Sequence, residues 1–449
     1  MNMIYGVSDR PKFGQTLIFA FQQLLAILAA TIAVPAIIGN GMSQSAALFG
    51  AGIGTIVYLL FTKFKSPVFL GSSFAFIGSM FAAFAGGVSM SLGYIGLILG
   101  ALMAGLVYVI IALIVKLAGV KWVDKLMPAV VIGPTVAIIG LSLSGNAIGN
   151  MFVKNAEGAV QYPNSYLTIL CGLITLAVTM ICSTYGKKML RLIPFIIGIL
   201  AGYVVAAILT VIGIATKNPV LQIIDFSLFQ HMEWVPHFAF LKAFDFKSID
   251  FGSVGSFGKY LLTIAVAYVP VAFVVFAEHI ADHENLSSII GKNLIEDPGL
   301  SRTLLGDGVG SIAGAFFGGC PNTTYGESVA CVAITRNASV STILTTAILA
   351  IVASFCGPFV TFLATIPSCV MGGVCIALYG FIAVSGLKMI QSIDLNENRN
   401  LFVVSTILIA GVGNMTINFG SVTLTSIACA LILGILANVM LSHKKKEQN

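Results

Sequence analysis

Charge is what this 449-residue chain has least of: Asp, Glu, Lys and Arg together make up 9% of it. Soluble domains carry about 25%, so a large water-exposed domain fits nowhere along it. Cysteine is also uninformative in the way that matters for metals. The eight cysteines (171, 182, 320, 331, 356, 369, 375, 429) mostly sit in apolar segments and show no CxxC spacing, which excludes a zinc site or a disulfide framework. The N-terminal stretch is short and polar, with Arg10 and Lys12, and has no cleavable-signal pattern. The net charge of +6 comes from lysines and arginines between apolar runs; it bears on membrane orientation, and no nucleic-acid partner is expected.

What remains is hydrophobic: 58% of residues, with a mean hydropathy of +1.01. Segments such as 66–115, 126–153, 158–186 and 337–387 contain no Asp, Glu, Lys or Arg. Runs of about twenty such residues read as membrane spans. The chain is therefore expected to be an all-α polytopic membrane protein. Turn residues and loop charge divide it into fourteen spans, near 14–35, 44–62, 66–86, 92–116, 126–144, 164–185, 191–215, 257–280, 303–317, 320–335, 339–366, 369–387, 400–419 and 422–442. With both termini cytoplasmic, 18 of the 23 basic residues fall on the cytoplasmic side, among them Lys63, Lys65, Lys121, Lys125, Lys188, Arg191, Arg336 and Lys444 to Lys446. Lys154, Lys217, Lys242, Lys247 and Lys259 fall outside, four of them in or bordering a long polar connection, 216–258. The location expected is the cell membrane.

That connection leaves seven spans on each side. An odd number per half forces the halves into opposite orientations, the arithmetic of an inverted-repeat transporter. The third span of each half is broken. In the first it reads SPVFLGSSFAFIGSM from Ser66; in the second it reads GGCPNTTYGESVACVAITR, from Gly318 to Arg336. Broken backbone at membrane depth is tolerated only where it is buried or lines a cavity. Each break would start a half-helix whose free N–H groups point into that cavity. Most of the 47 glycines serve close packing instead, as in the Gly96 and Gly100 GxxxG pair. Asn322-Thr323-Thr324 is a formal glycosylation sequon and is discounted because it lies in the break.

Ionisable groups within spans are functional candidates by default. They are few: Glu278, His279, Asp282 and His283 in VVFAEHIADHEN, Asp307 in LLGDGVGSIAG, and Glu327. Glu278 follows an uncharged run from Leu261 to Ala277 and shares a helix face with Asp282, four residues on. Such a group can carry a proton as the site alternates its exposure. His283 and Glu284 read as a hydrated helix end, with His283 kept among the proton-coupling candidates. His279 and His283 have metal-like i,i+4 spacing, but the intervening acid is one carbon short and no third ligand is evident. Neither a metal nor another cofactor is expected.

At these residues the chain resembles the nucleobase–ascorbate transporters, close to bacterial uracil:proton symporters. The resemblance runs nearly end to end: GVSDRP at 6–11, ATIAVP at 30–35, LGSSFAFI at 70–77, AEHIADH at 277–283, DPGLSRTLLGDG at 297–308, PNTTYGE at 321–327, AITR at 333–336 and MGGVCIALYG at 371–380. It implies two inverted seven-span repeats. A core domain would comprise 14–117 and 257–366, and a gate domain 118–215 and 367–442, with 216–256 an extracytoplasmic loop. It implies Glu278 and Glu327 as the carboxylates that hold the base. Gly326 and the backbone near Ser73 and Phe74 would line the site, with Ala30, Tyr325 and Tyr379 packed nearby. Asp282 and Asp307 would serve proton coupling or site integrity, and a homodimer would form through the gate domain. The chain departs from the family pattern at Ser328, at Ala330, at Gln22-Gln23 in span one and at Asp282, where some uracil carriers have His.

The expected function is proton-coupled import of a nucleobase by alternating access, with uracil the leading substrate because purine-carrying relatives usually have Gln where this chain has Glu327. Uracil offers two N–H donors and two carbonyl acceptors on a flat ring. Ionised carboxylates accept from the former, half-helix N–H groups donate to the latter, and Phe74 or a tyrosine can cover a ring face. A xanthine or other purine permease is the alternative. An anion transporter of the same architecture follows, disfavoured by two acids at the half-helix ends. A channel would need a continuous polar pore, and no enzyme chemistry is expected.

Overall fold

The computed structural model describes residues 3–119, 122, 128–152, 166–187, 190, 193–230, 232–245, 256–419 and 422–442. Lys121, Lys125, Lys154, Lys188, Arg191, Lys247 and Lys444 to Lys446, used above to set the orientation, lie outside them.

Apolar runs without water must satisfy their own backbone, and helices do so internally. The first half holds α1 (Phe13–Ile38), α2 (Gln44–Phe61), strand β1 (Leu70–Ser72), a 3-10 turn (Phe74–Phe76) leading into α3 (Ile77–Phe84), and α4 (Met90–Ala118). It continues with α5 (Ala129–Ser142), α6 (Ser144–Asn150), α7 (Tyr166–Tyr185) and α8 (Pro194–Ala215). After a connection containing α9 (Ala239–Ala243), the second half holds α10 (Phe257–Ile290), α11 (Leu300–Gly318), strand β2 (Asn322–Thr324) and α12 (Gly326–Thr335). Then come α13 (Val340–Ser354), α14 (Gly357–Thr365), α15 (Ser368–Gln391), α16 (Asn398–Val412), strands β3 (Ile417–Phe419) and β4 (Val422–Leu424), and α17 (Ser426–Leu441).

Among the described residues, eight helices are long and apolar enough to cross a bilayer, and a ninth counts α13 and α14 together, which bend by 82°. Expected spans three, ten, thirteen and fourteen correspond to shorter apolar helices, and span nine to α11, which has 19 residues but is not among the eight. Four spans differ from those expected. Span eight runs to Ile290 instead of 280, giving 34 residues, about 50 Å at 1.5 Å per residue. Span eleven is bent between Ser354 and Gly357. Spans thirteen and fourteen are interrupted by the β3–β4 pair. There α16 ends at Gly413, and Asn414 adopts a left-handed φ of 52°. The β-branched residues beyond it favour extended backbone.

Two groups of helices pack mainly among themselves. In one, α11 lies against α2 and α4, α13 against α1 and α2, and α10 against α4. In the other, α15 lies against α5 and α7, α8 against α7, and α16 against α5 and α17. Large apolar side chains such as Leu106, Ile110 and Leu113 on α4 and Ile208 and Val211 on α8 remain exposed, as a lipid-facing surface requires. The α2–α11 contact is close: a Cβ on Gly50 would stand 2.5 Å from the Gly314 carbonyl oxygen, and one on Gly54 2.7 Å from that of Gly310. Only glycine permits that approach. Asn322 exploits it, donating to the Gly50 carbonyl at 3.1 Å.

Candidate functional site

The two broken spans meet. β1 pairs antiparallel with β2 in the register Leu70–Thr324, Gly71–Thr323 and Ser72–Asn322. Each strand leads directly into a helix, so the two half-helices leave the strand pair in opposite directions with their N-termini beside it. The supposed sequon is strand β2, and Asn322, Thr323 and Thr324 are all buried. Gly71 is required here: a Cβ on it would stand 2.3 Å from the Tyr325 ring. The Tyr325 hydroxyl donates to the Ser72 carbonyl at 2.9 Å, fastening the start of α12 to β1. Tyr325 is thus committed to the scaffold.

Neither half-helix start has a side-chain cap. The Ser73 amide donates to the Pro321 carbonyl at 2.8 Å, so it is occupied; the amides that follow it, from Phe74 on, begin the helix. In the other repeat, α12 opens on Gly326 and carries Glu327 in its first turn. Gly326 is exposed, while Thr324, Tyr325 and Ser328 around it are buried. Glu278 and Glu327 are half-buried and lie within electrostatic reach of each other and of Asp282, and Glu278 also of Asp307. Asp282 belongs to this cluster directly. Its Oδ2 accepts from the Thr324 hydroxyl at 2.7 Å, and its Oδ1 is 3.9 Å from where a Gly326 Cβ would lie. Phe74 meets Tyr379 of α15 edge-on, with ring centroids 5.5 Å apart. Ala30 is buried on α1.

His283 is not a hydrated helix end. Because α10 continues to Ile290, His283 is fully buried, its Nε2 2.7 Å from the Tyr58 hydroxyl and its Nδ1 2.8 Å from the His279 carbonyl oxygen. Glu284 is exposed. Asp307 is buried against His279, Nδ1 to Oδ2 at 2.7 Å. The sequence marks His279 as an ionisable group at depth with metal-like spacing to His283, and nothing in it shows this pair. Nor does it show the Gln23–Ser328 contact, although both residues stood out as departures from the family pattern. Gln23 on α1 donates to the Ser328 hydroxyl at 2.6 Å, and the Phe69 amide donates to the same oxygen at 3.1 Å.

Two half-helices starting from one buried strand pair, with acids gathered beside one of them in a polytopic helical protein, define an inverted-repeat membrane transporter. The chain belongs to the Permease family (Xan_ur_permease), whose family model matches residues 14–420. It is 38% identical to the uracil permease of Bacillus caldolyticus over 442 residues, covering 98% of this chain and 94% of that one. It is 39% identical to the uracil permease of Bacillus subtilis (99% and 96% covered) and 37% identical to that of Escherichia coli K12 (96% and 92% covered). Among solved structures, the transmembrane domain of a cyanobacterial bicarbonate transporter, BicA, matches with a TM-score of 0.63 at 17% identity, covering 96% of this chain and all of that one. SLC26A9 matches with a TM-score of 0.65 at 11% identity, covering 97% of this chain and 66% of that one. The protein is a multi-pass membrane permease, not an enzyme.

Proposed function

We propose that the chain is a proton-coupled symporter that imports uracil by alternating access. The single observation that carries this reading is that Glu327, in the first turn of α12, lies within electrostatic reach of Glu278 on α10. There two carboxylates accept from the N–H groups of a pyrimidine, while amides at the starts of α12 and of the Phe74–Phe76 turn donate to its carbonyls. The uracil permeases similar to it over nearly their whole lengths support the substrate. The acids weigh against the anion transport suggested by the structural neighbours, since fold alone does not fix cargo.

In this reading, Phe74 and Tyr379 flank the base, with Ala30, Ser73, Gly326 and Tyr325 shaping its surroundings. Asp282, Asp307 and His283 belong to the proton side of the cycle. The helix group of α1–α4 and α10–α14 is the core that carries the site, and α5–α8 with α15–α17 form the gate. This assignment completes fourteen spans with both termini cytoplasmic and a homodimer through the gate. Supporting the cytoplasmic N-terminus, residues 4–7 pair with the turn at 336–340, through Ile4 N–H to the Arg336 carbonyl at 2.8 Å and Val340 N–H to the Val7 carbonyl at 3.1 Å. Lys65 and Asp297, from two connections assigned to that side, form an ion pair at 2.6 Å.

The test is uptake of labelled uracil by proteoliposomes under an imposed pH gradient, with xanthine, hypoxanthine, thymine and 5-substituted uracils as competitors. Uptake rising with external acidity, with protons entering alongside, is the expected result. Competition by xanthine and none by uracil analogues overturns the pyrimidine assignment. Uptake independent of pH without proton movement overturns the coupling.

A further inference from the structure

His279 on α10 and Asp307 on α11 are wholly buried. Beyond their 2.7 Å contact, His279 Nε2 lies 3.0 Å from the Thr303 hydroxyl, which in turn lies 3.1 Å from the Leu300 carbonyl oxygen. Asp307 Oδ1 has no hydrogen-bond partner among the described residues.

Counting protons shows what this chain of contacts can do. The Thr303 hydroxyl has one hydrogen and two acceptors in reach: the Leu300 carbonyl always, and His279 Nε2 whenever that nitrogen is bare. When the pair holds an extra proton, on either Asp307 or the imidazole, Nε2 carries hydrogen and donates to Thr303, which donates to Leu300. When that proton leaves, Nδ1–H donates to the carboxylate, Nε2 is bare, and the Thr303 hydroxyl rotates to donate to it. Both states are hydrogen-bonded, and no heavy atom moves. The unpartnered Oδ1 favours a loaded state with the proton on Asp307, because a bare carboxylate oxygen is costlier to bury than the carbonyl of a neutral acid.

We propose that the His279–Asp307 pair carries the coupled proton, with the Thr303 hydroxyl as the positioning group that serves its loaded and empty states alike. The proposal rests on the proton-coupled reading above. Titratable groups around the pair are Glu278, Asp282 and His283 on α10, Tyr58 on α2 and Tyr108 on α4, with Glu327 on α12 reached through Glu278 and Asp282. Of these, His283 has both ring nitrogens engaged, one by a backbone carbonyl and one by Tyr58. Glu278 is next to His279 in sequence and within electrostatic reach of Asp307. A proton on the pair therefore offsets negative charge beside the base, which links loading to uracil binding.

The experiment follows uracil uptake and internal pH together in proteoliposomes of wild type, Thr303→Val and Thr303→Ser. In the Val variant the loaded state loses two hydrogen bonds and the empty state one, so the pH midpoint of uptake moves down by about one unit. Serine restores it. A wild-type midpoint in Thr303→Val, with wild-type protein still moving protons, overturns the proposal and leaves proton coupling standing. Absence of proton movement in the wild type overturns the coupling itself. A measurement that needs no variant is a pH titration of ¹⁵N-histidine-labelled wild-type protein. One of the five rings should lose its Nε2–H signature and carry Nδ1–H alone as the pH rises through the uptake midpoint. Five rings unchanged there overturn the proposal.

Discussion

Gln23 and Ser328, 305 residues apart in the chain, are joined by a 2.6 Å hydrogen bond that ties α1 to the first turn of α12. The Ser328 oxygen also accepts the Phe69 amide at 3.1 Å, so one hydroxyl holds both broken spans and the first helix in register beside Glu327. Ser328→Ala orphans the buried Phe69 amide, at about 1–3 kcal/mol, and leaves Gln23 only its 3.4 Å bond to the Ser328 carbonyl. Thermal stability of the purified protein should fall, and the KM for uracil should rise. In a double-mutant cycle with Gln23→Ala, the two residues should couple by about 0.5–3 kcal/mol; strict additivity removes the link.

Glu327→Gln should weaken uracil binding by at least tenfold while the protein remains folded. A hydrogen bond to a charged group contributes about 1.5–3 kcal/mol, a loss of tenfold or more in affinity, and the amide can present a donor where the base also donates. Equilibrium binding of labelled uracil, set beside a melting curve, checks it. Wild-type affinity in this variant would take Glu327 out of the site.

Gly71→Ala and Tyr325→Phe probe the strand junction separately. A Cβ at 71 falls 2.3 Å from the Tyr325 ring, so alanine must push the ring or split β1 from β2, at about 1–3 kcal/mol. Removing the Tyr325 hydroxyl deletes one bond to Ser72, about 1 kcal/mol. Transport should suffer more in the alanine variant, as measured by initial uptake rate per folded molecule. Equal effects, or none, would mean that the strand pair does not set the site.

Thr210→Val tests how the inter-repeat connection is anchored. The Thr210 hydroxyl accepts the amides of both Ile223 and Ile224 at 3.0 Å, while the other end of the connection is held by Lys242 on the Gly41 carbonyl and on the Tyr94 hydroxyl at 3.3 Å. Burial draws the Lys242 amine below the usual lysine range. Amide hydrogen exchange at 223 and 224 should accelerate in the valine variant, with residues near 242 unaffected. Unchanged protection at 223 and 224 would show that the connection is held elsewhere.

Much of the site was legible because a membrane punishes polarity. Pro67, Gly71 and the PNTTYGE run stood out against uncharged surroundings, and so did Glu278, Asp307 and Glu327. Periodicity within α10 placed Glu278 and Asp282 on one face, but it could not show that Thr324 would meet Asp282. Nor did hydropathy find the end of α10, since the polar stretch after Ala281 continues as helix to Ile290. That continuation converts His283 from a wet terminus into a buried group on Tyr58.

The sequence by itself determined that the chain lies in a membrane, that its halves are inverted, and where each half breaks, because those properties follow from local composition and from counting. Tertiary structure decided the partners: Gln23 on Ser328, Thr324 on Asp282, and the chain from Asp307 through His279 to Thr303. Each of these bonds joins different elements, and a helical repeat says which face a side chain occupies without saying which neighbour will cover it. Close approach of backbones at Gly50, Gly54, Gly310 and Gly314 brings α2 and α11 together around Asn322. The pairing of β1 with β2 then turns two separate interruptions into one site.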